Sequence, residues 1–549
     1  MNLTKRALIK GAAGTGVATA LHAAGIAPGH AQSAPGPFSA NWDSLIAGYR
    51  CPDWFRDAKF GLWAHWGAQC VPEAGDWYAR NMYLQGNAQY NHFTKNYGHP
   101  ADTGFIDIYP KWKAENWRPG ELLDLYKKAG AKYFVAMANH HDNFDAYDSK
   151  FHAWNSVRVG PKKDIIGIWA KAARARGLKF GVSNHSAHAW HWFQTAYGYD
   201  PEGPRKGERY DAFKLTRFDG RGKWWNGLDP QELYGGAVMP LPDGINTVAD
   251  ANAWHTRNDR VWDEKAPLHN PAFTRQWYLR CKDLIDSYKP DLVYFDNFDL
   301  PLGQAGIDMA AHYYNASMQW HGGKLEAVLN IKPQEAPRGG YVADVERGMR
   351  AEISPEPWQT DTCIGQWHYN RRLYDQKRYM SAATVIHRLC DIVSKNGNFL
   401  LSVPVRGDGS IDSEERRIVQ EIAGWMGRFG DAIYGTRPWK IYGEGPTQVG
   451  AGMFGEQTQK PFTSADIRFT WKGGDLFAIC LGRPAASIDI ASLAKGAPSG
   501  AGGVERVEMV GDRTPLTYKH DGAGLHVQIP EALSHAFGVA LRIRGPGPM

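Results

Sequence analysis

Short apolar runs alternate with helix-like segments between about residue 55 and residue 430, and this alternation is the strongest constraint on the fold. Alternating strands and helices build a parallel sheet, which is either doubly wound or closed into a barrel. No glycine-rich dinucleotide-binding fingerprint follows the first strand, so we predict an α/β fold with a (β/α)8-like TIM barrel. The strand-like runs are 59–65, 133–138, 180–184, 292–295, 325–331 and 398–403, and the helix-like segments are 115–131, 165–176, 271–289 and one that opens at 412.

The length of 549 residues exceeds one ordinary hydrophobic core and predicts two domains. From residue 436 the chain consists of short apolar runs separated by Gly, Asp and Pro, which predicts a C-terminal all-β sandwich over 436–549. Residues 32–435 then form the catalytic barrel. The stretch 193–270 is polar and aperiodic, and because it follows the third strand we expect this insertion to lie over the catalytic face.

The first 31 residues have the pattern of an export signal. Lys5-Arg6 precedes a weakly apolar stretch from Gly11 to Ile26, and Ala31 offers a cleavage site. The Lys-Arg pair resembles a relaxed twin-arginine signal, so we predict a periplasmic or secreted protein. No later segment has the length and apolarity of a membrane span.

Composition narrows the class of partner. The net charge is only +6 and both signs are interspersed, so nucleic acid is not expected to bind. The chain has 22 Trp, whose flat apolar faces with a polar edge suit sugar rings as well as cores. Six scattered cysteines lack metal-ligand spacing.

Asp296 directly follows the buried strand-like run that ends in Tyr294 and Phe295. A carboxylate at the carboxyl end of a barrel strand lies on the face that carries catalytic groups. The alternative is that Asp296 or Asp299 only caps the segment that follows the strand. Histidines at three other strand ends favour the catalytic interpretation, with Asp296 as a nucleophile.

Those histidines are His65 after the first strand, His140 and His141 after the second, and His185 after the third. Together with Asp296 they could hold a metal, as in barrel metallohydrolases. Adjacent residues point to opposite sides of an extended chain, however, so His140 and His141 should not both be ligands. We therefore favour hydrogen bonding to sugar hydroxyls and predict no metal and no other cofactor.

Several long motifs resemble family 29 glycoside hydrolases, the α-L-fucosidases. The resemblance covers nearly the whole chain after the leader. It implies a catalytic barrel followed by a β-sandwich, and a retaining exo-glycosidase that works without a metal. The motifs are 54–67 (WFRDAKFGLWAHWG), 76–83 (DWYARNMY), 129–133 with 140–144 (AGAKY, HHDNF), 160–164 (GPKKD), 177–181 (GLKFG), 396–401 (NGNFLL) and 431–439 (DAIYGTRPW).

The resemblance also implies roles for single residues. Asp296 matches the family nucleophile, with Tyr294 where the family usually has Trp. The residues that match sugar-binding positions are His65, His140, His141, the pair Asp76 and Trp77, and Trp367, which corresponds to an aromatic against the fucose methyl group. His185 lies near a position where the family often has Tyr, and we include it and Tyr294 among the predicted substrate-binding residues.

The acid/base is less clear from the motifs. Some family members have Glu in a late Trp-Glu pair, but this chain has Trp358-Gln359, and an amide cannot protonate a leaving group. Other members carry the acid after an Asn-Asp-Arg-Trp-Gly segment, where this chain has Asn330-Ile331-Lys332 followed by Glu346. We predict Glu346 as the acid/base, with Glu352 and Glu356 as rivals.

The predicted function is hydrolysis of terminal α-L-fucosyl residues from oligosaccharides or glycoconjugates by double displacement, through a covalent glycosyl-enzyme. One alternative is a glycosidase of the same fold that acts on a related sugar such as an α-L-galactoside, since a hydrophobic pocket rejects an added hydroxyl only weakly. Another is a catalytically impaired sugar-binding protein, suggested by Gln359.

Overall fold

Eight parallel strands close a barrel in the order in which they occur in the chain, with β8 pairing back onto β1. The computed structural model describes residues 33–545 except 263, 269 and 498–501, so the predicted export signal lies outside the described residues. The strands are β1 Phe60–Ala64, β2 Tyr133–Asn139, β3 Lys179–Asn184, β4 Leu292–Phe298, β5 Val328–Lys332, β6 Val342–Asp344, β7 Trp358–Cys363 and β8 Gly397–Ser402. The prediction of a TIM-like barrel is confirmed.

Antiparallel strands follow the barrel and form a five-stranded sheet in the order β13-β16-β11-β10-β9 and a three-stranded sheet in the order β12-β15-β14. An all-β region after the barrel was expected from the sequence. The strands are β9 Arg437–Glu444, β10 Ile467–Lys472, β11 Asp475–Cys480, β12 Ser487–Ile490, β13 Arg506–Met509, β14 Tyr518–His520, β15 Leu525–Gln528 and β16 Val539–Arg544.

Helices surround the barrel and bury its outer face. The described helices are α1 Trp42–Gly48, α2 Asp53–Ala58, α3 Tyr78–Asn81, α4 Ala88–Asn96, α5 Pro119–Lys128, α6 Ile165–Arg174, α7 Ala189–Trp192, α8 Asp211–Lys214, α9 Pro230–Tyr234, α10 Val248–Asn258, α11 Pro271–Tyr288, α12 Gln304–Trp320, α13 Arg371–Asp375, α14 Ala382–Ser394 and α15 Ser413–Phe429. Within the described ranges, none of them is long and apolar enough to cross a membrane.

The six predicted barrel strands all form, and every residue of β2 is buried, as expected of a parallel strand covered on both faces. Two barrel strands, β6 and β7, were missed. β6 has only three residues, and β7 has the polar sequence WQTDTC although all six residues are buried. A polar strand shows no apolar run in the sequence. Its side chains can be buried because groups on other elements hydrogen-bond them, as Tyr133 does for Gln359 and Tyr294 for Asp361.

Buried charges join the barrel to the C-terminal strands. Asp391 of α14 accepts from Lys395 (2.9 Å) and from Arg468 of β10 (2.6 Å), and all three side chains are buried. Trp425 of α15 donates its indole N–H to the carbonyl of Gly538 at 2.9 Å. Removing one partner of such a buried charge set would leave another charge unpaired, so the two parts are firmly connected here.

The insertion after β3 is ordered by a buried ion pair. Arg80 of α3 lies 2.6 Å from Asp259 at the end of α10, and His255 lies 2.6 Å from the other oxygen of the same carboxylate. In a second contact, Asp211 of α8 accepts a hydrogen bond from Tyr234 of α9, and burial raises the pKa of Asp211 to about 7. The first contact joins α10 to α3, and the second joins α8 to α9 within the insertion.

Candidate active site

A cavity of about 620 Å³ opens at the carboxyl ends of the barrel strands. It brings together nine of the ten residues predicted from the sequence, which are His65, Asp76, Trp77, His140, His141, His185, Asp296, Glu346 and Trp367. Lys332, Arg347, Asp361, Arg260 and Trp262 also line it, the last two from the insertion. The expectation that the insertion lies over this face of the barrel therefore agrees with the position of its last residues.

Tyr294 does not line the cavity, and its prediction as a substrate-binding residue is not supported. Its side chain is fully buried, and its hydroxyl donates to Asp361 at 2.8 Å. Tyr294 and Asp296 lie two residues apart on the same face of β4, but Tyr294 lies deeper in the barrel. Its hydroxyl is used to hold a carboxyl group of the site rather than a sugar.

Asp296 lies within β4 rather than after it, because the strand continues to Phe298. Tyr294 pairs with Asn330 and Phe298 pairs with Lys332, so four steps along β4 are matched by only two along β5. This irregularity is a bulge around Asp296, and bulges re-aim side chains near active sites. The register therefore brings the Asp296 side chain close to the end of β5.

Asp299, the alternative considered for Asp296, has a structural role. Its carboxylate accepts from the backbone N–H groups of Gln334 (2.8 Å), Glu335 (2.9 Å) and Ala336 (2.8 Å). Such a carboxylate satisfies the backbone donors of the loop after β5. Asp299 therefore caps the loop, whereas Asp296 lines the cavity.

Three groups contact the Asp296 carboxylate. The Lys332 ammonium contacts one oxygen, while His185 Nδ1 lies 2.9 Å and His141 Nε2 3.3 Å from the other. Burial alone would raise the pKa of Asp296, but the charge of Lys332 and the contacts with His185 and His141 hold that pKa well below its usual range. Asp296 is therefore ionised near neutral pH, the state that a nucleophile requires.

Lys332 also contacts Glu346, with 2.6 Å between its Nζ and the Glu346 Oε2 atom. Burial opposes the charge of Lys332, but the Asp296 and Glu346 carboxylates raise its pKa well above the usual value. Its ammonium is thus shared between the two carboxyl groups. Glu352 and Glu356, the rivals of Glu346, are exposed and do not line the cavity.

His140 and His141 both line the cavity, so the argument that adjacent residues would point apart was wrong. Strand β2 ends at Asn139, and the chain turns directly after it, which brings the two imidazole centroids to 4.4 Å. Three imidazole nitrogens, one each from His140, His141 and His185, lie within 4.8 Å of one another. A metal ion could bind at this spacing.

The hydrogen bonds of these histidines favour a different use. His185 has Asp296 at one ring nitrogen and Ser183 Oγ at 2.9 Å from the other, so neither is free for a metal. The Gln69 side-chain oxygen accepts from the backbone, so its amide N–H₂ faces Nδ1 of His140 at 2.9 Å. That contact leaves Nε2–H of His140 as a donor toward a ligand.

Burial holds the pKa of His65 and of His140 well below the usual value, so both rings are neutral. One nitrogen of each ring has a protein partner, Ser402 for His65 and Gln69 for His140, and the other can bond to a sugar hydroxyl, which both donates and accepts. Trp367 lies beside His65, with 4.7 Å between the ring centroids, and Arg347 covers the Trp367 ring at 4.6 Å. Together they form a wall that is part aromatic and part polar.

Asp76 acts on this wall through the backbone. Its two carboxylate oxygens accept from the N–H groups of Trp367 (3.2 Å) and His368 (2.7 Å). Its neighbour Trp77 has a φ of 62°, which a non-glycine residue rarely adopts. The Trp77 ring lies 5.7 Å from that of Trp262 of the insertion.

Two further groups were not found by sequence reasoning. Asp361 of β7 lines the cavity, and burial followed by the charge of Glu346 raises its pKa to about 7. Glu264 of the insertion lies close to Asp296, where it accepts from the Phe298 backbone N–H at 2.7 Å and from the Asn297 amide. Burial is the main reason that the pKa of Glu264 is raised to about 8. Glu264 lies in an aperiodic stretch, which gives no signal for its position.

Gln359, the departure that suggested lost catalysis, is buried beneath the cavity. It accepts from Tyr133 Oη at 3.0 Å and donates to Asp344 at 2.8 Å. Both contacts are within the barrel, and Gln359 does not line the cavity, so its side chain is not placed to act on a bound sugar. The substitution gives no reason to assume an inactive protein.

Comparison with known proteins agrees with this geometry. A family model described as alpha-L-fucosidase matches residues 26–431. Tissue alpha-L-fucosidase of Macaca fascicularis is 26% identical over 81% of this chain and 78% of its own length, and an alpha-L-fucosidase of Branchiostoma floridae is 24% identical over 91% and 93%. The crystal structure of Thermotoga maritima alpha-fucosidase in complex with fucose is 25% identical, with a TM-score of 0.66 over 92% of this chain and all of that one. The chain belongs to the alpha-L-fucosidase family of glycoside hydrolases.

Proposed function

We propose that this chain hydrolyses terminal α-L-fucosides by double displacement, with Asp296 as the nucleophile and Glu346 as the acid/base. One observation carries the proposal, namely the Lys332 ammonium that contacts both carboxyl groups at the floor of the cavity. Two carboxyl groups that share one ammonium nitrogen are close, near the ~5–5.5 Å of retaining pairs and inside the ~6.5–9.5 Å of inverting pairs. Net retention of anomeric configuration follows.

In the first step the ionised Asp296 attacks the anomeric carbon, and the glycosidic bond breaks as Glu346 donates its proton to the leaving oxygen. The product is a glycosyl ester on Asp296 and a free alcohol. In the second step Glu346 removes a proton from water, which attacks the same carbon and releases the sugar with Asp296 as the leaving carboxylate.

The rest of the cavity holds the sugar. His65 and His140 are neutral, and each has one ring nitrogen left to hydrogen-bond a sugar hydroxyl, while Trp367 offers an apolar face to the C5 methyl group of fucose. Asp76 keeps that ring in place through the backbone contacts described above. An α-L-galactoside differs from an α-L-fucoside by one hydroxyl on this methyl group, which such an apolar contact disfavours only modestly.

A panel of para-nitrophenyl glycosides tests the proposal. We expect the α-L-fucoside to have the highest kcat/KM, the α-L-galactoside to be cleaved more slowly, and other sugars to be inert. Proton NMR of the first product formed should give the α anomer. A β product would contradict double displacement, and a higher kcat/KM for the L-galactoside would reassign the substrate.

We also propose that residues 1–31 direct export to the periplasm or the medium, where fucosylated oligosaccharides and glycoconjugates would be met. Lys5-Arg6 and the weakly apolar stretch after them support it. Cell fractionation of the full chain and of a chain that starts at Gln32 should place activity outside the cytoplasm only for the former. Cytoplasmic activity of both would contradict export.

A further inference from the structure

A second cavity adjoins the catalytic one and is built largely by the insertion. It has a volume of about 430 Å³ and lies between α10 and the segment from Trp77 to Asn87. Trp77, Asn81 and Arg260 line both cavities. The two cavities therefore lie side by side along a shared wall, and we call the second one the acceptor groove.

The groove presents neutral polar side chains. Asn81, Asn87, Asn252 and Thr256 line it, and amide and hydroxyl groups can both donate and accept hydrogen bonds. Its two most buried titratable groups, Arg80 and His255, are both paired with Asp259 beneath the surface. Arg260 is the cation left at the rim, over the Trp77 ring at 5.5 Å. This chemistry fits a hydroxyl-rich neutral ligand.

The position of the groove defines what such a ligand would be. An exo-glycosidase that buries a terminal sugar must let the rest of the glycan leave the catalytic cavity. The shared wall is aromatic at Trp77, and a flat ring with a polar edge suits the face of a sugar. The unusual backbone of Trp77 at a φ of 62° is consistent with a functional position.

We propose that the acceptor groove binds the neutral hexose that carries the fucose, together with the next sugar along the glycan. This inference rests on the proposed function for the identity of the terminal sugar. The enzyme would then prefer fucosylated oligosaccharides to small aryl fucosides, and the preference would come from α10 of the insertion rather than from the barrel.

Substitutions on α10 test the proposal. Thr256 is exposed on the groove side and does not line the catalytic cavity, so Thr256→Trp fills the groove and leaves the catalytic groups untouched. Asn252→Ala removes one amide without filling space. Arg257→Ala is the matched control, because Arg257 is exposed on the same helix and lines neither cavity.

The measurement is kcat/KM for fucosyllactose and for para-nitrophenyl α-L-fucoside. We expect Thr256→Trp to lower the value for fucosyllactose roughly tenfold or more, Asn252→Ala by a smaller factor, and both to keep the aryl fucoside within about twofold. Arg257→Ala should change neither. An unchanged value for fucosyllactose in Thr256→Trp, or equal losses on both substrates, would overturn the proposal.

Failure of the proposed function would give a different result. If the unaltered chain cleaves neither substrate, the Kd of fucosyllactose is measured by calorimetry for that chain and for Thr256→Trp. Weaker binding by the variant supports the groove even without fucosidase activity. Equal Kd values, or no binding to either protein, overturn it.

Discussion

The cavity has two parts that differ in how they are built, the floor from barrel strands and the rim from the insertion. The floor consists of Asp296, Lys332 and Glu346 with the histidines at the strand ends, and its charges are compensated by direct contacts. The rim consists of Arg260, Trp262 and α10, where contacts are aromatic or polar. A rigid strand scaffold thus holds the groups that must be precise, and loops carry the groups that select the ligand.

Glu264 crosses this division. It belongs to the insertion, yet it contacts the Asn297 amide and the Phe298 backbone of β4 next to Asp296, the proposed nucleophile. Burial raises the pKa of Glu264 to about 8, so it holds a proton near neutral pH. The floor offers Glu346 as a proton donor and the insertion offers Glu264. The identity of the proton donor, Glu346 or Glu264, is therefore the best test of whether the floor alone carries the chemistry.

The largest expected effect is loss of the nucleophile. Asp296→Asn should lower kcat by more than roughly a thousandfold while the protein remains folded, because the amide is nearly isosteric but cannot form the glycosyl ester. Asp299→Asn is the matched control, since that carboxylate only accepts from loop N–H groups. Activity and circular dichroism of both proteins check this. Normal turnover by folded Asp296→Asn would end the assignment of chemistry to the floor.

The second largest effect shows whether the acid/base lies on the floor or in the insertion. Glu346→Ala should slow fucosides with poor leaving groups by roughly a hundredfold to ten-thousandfold, and activated aryl fucosides much less, because the latter need little protonation. Added azide should restore turnover as fucosyl azide, since azide needs no base. Kinetics with both kinds of substrate measure this.

Glu264→Gln, Glu352→Ala and Glu356→Ala are the comparison variants for that experiment. The last two change exposed residues outside the cavity and should behave like the unaltered chain. A further variant, Glu264→Ala, is tested for azide rescue. If Glu264→Gln shows the leaving-group dependence and Glu264→Ala the azide rescue, while Glu346→Ala shows neither, Glu264 is the proton donor. The division into a catalytic floor and a ligand-selecting insertion would then be wrong.

A smaller effect concerns the stability of the floor. The folded pKa of Asp361 is about 7, above its usual value, so between about pH 4 and pH 7 the native state binds a proton that the unfolded state has lost. This contribution therefore lowers stability as pH rises through that window, by about 1.4 kcal/mol for each unit of pKa difference. Asp361→Asn removes it.

Thermal unfolding of the unaltered chain and of Asp361→Asn at about pH 5 and about pH 8 tests this linkage. We expect the variant to gain stability relative to the unaltered chain at the higher pH. Comparing the two proteins cancels the contributions of Asp142 and Asp211, whose pKa values of about 7 act in the same window. The same stability difference at both pH values would contradict the raised pKa.

Removal of metal ions is expected to have no effect on activity. His140, His141 and His185 have a spacing that a metal could use, but their ring nitrogens already have protein partners or face the cavity as donors. Prolonged dialysis against a chelator should leave kcat/KM unchanged, and added zinc or manganese should not raise it. Loss of activity that zinc or manganese restores would turn the floor into a metal site.

The floor was largely predictable from the sequence because its signals are local. A buried apolar run followed by a carboxylate identified Asp296, and polar residues after three more strands identified the histidines. The contact of Lys332 with Asp296 was not predictable, since it depends on the irregular pairing of β4 with β5. Tyr294 was predicted to bind substrate but lies below the cavity, and the depth of a side chain in the barrel is not given by periodicity.

The insertion and the polar strands were harder for a different reason. Glu264 and Arg260 reach the cavity through packing between segments far apart in sequence, anchored by pairs such as Arg80 and Asp259. β7 carries Asp361 in a run that lacks apolar residues. Neither case produces the hydrophobic period on which prediction from a single sequence depends.

The shared ammonium of Lys332 has a consequence for the timing of the proposed reaction. Before attack, the positive charge of Lys332 is divided between two carboxyl groups, and it helps to keep Asp296 ionised. Once Asp296 becomes an ester it is neutral, and the whole charge of Lys332 acts on Glu346. The cation then lies against the one carboxyl group that must take a proton from water in the second step. Formation of the covalent bond would thus direct the charge of Lys332 toward Glu346 alone, and hydrolysis would return it to both carboxyl groups.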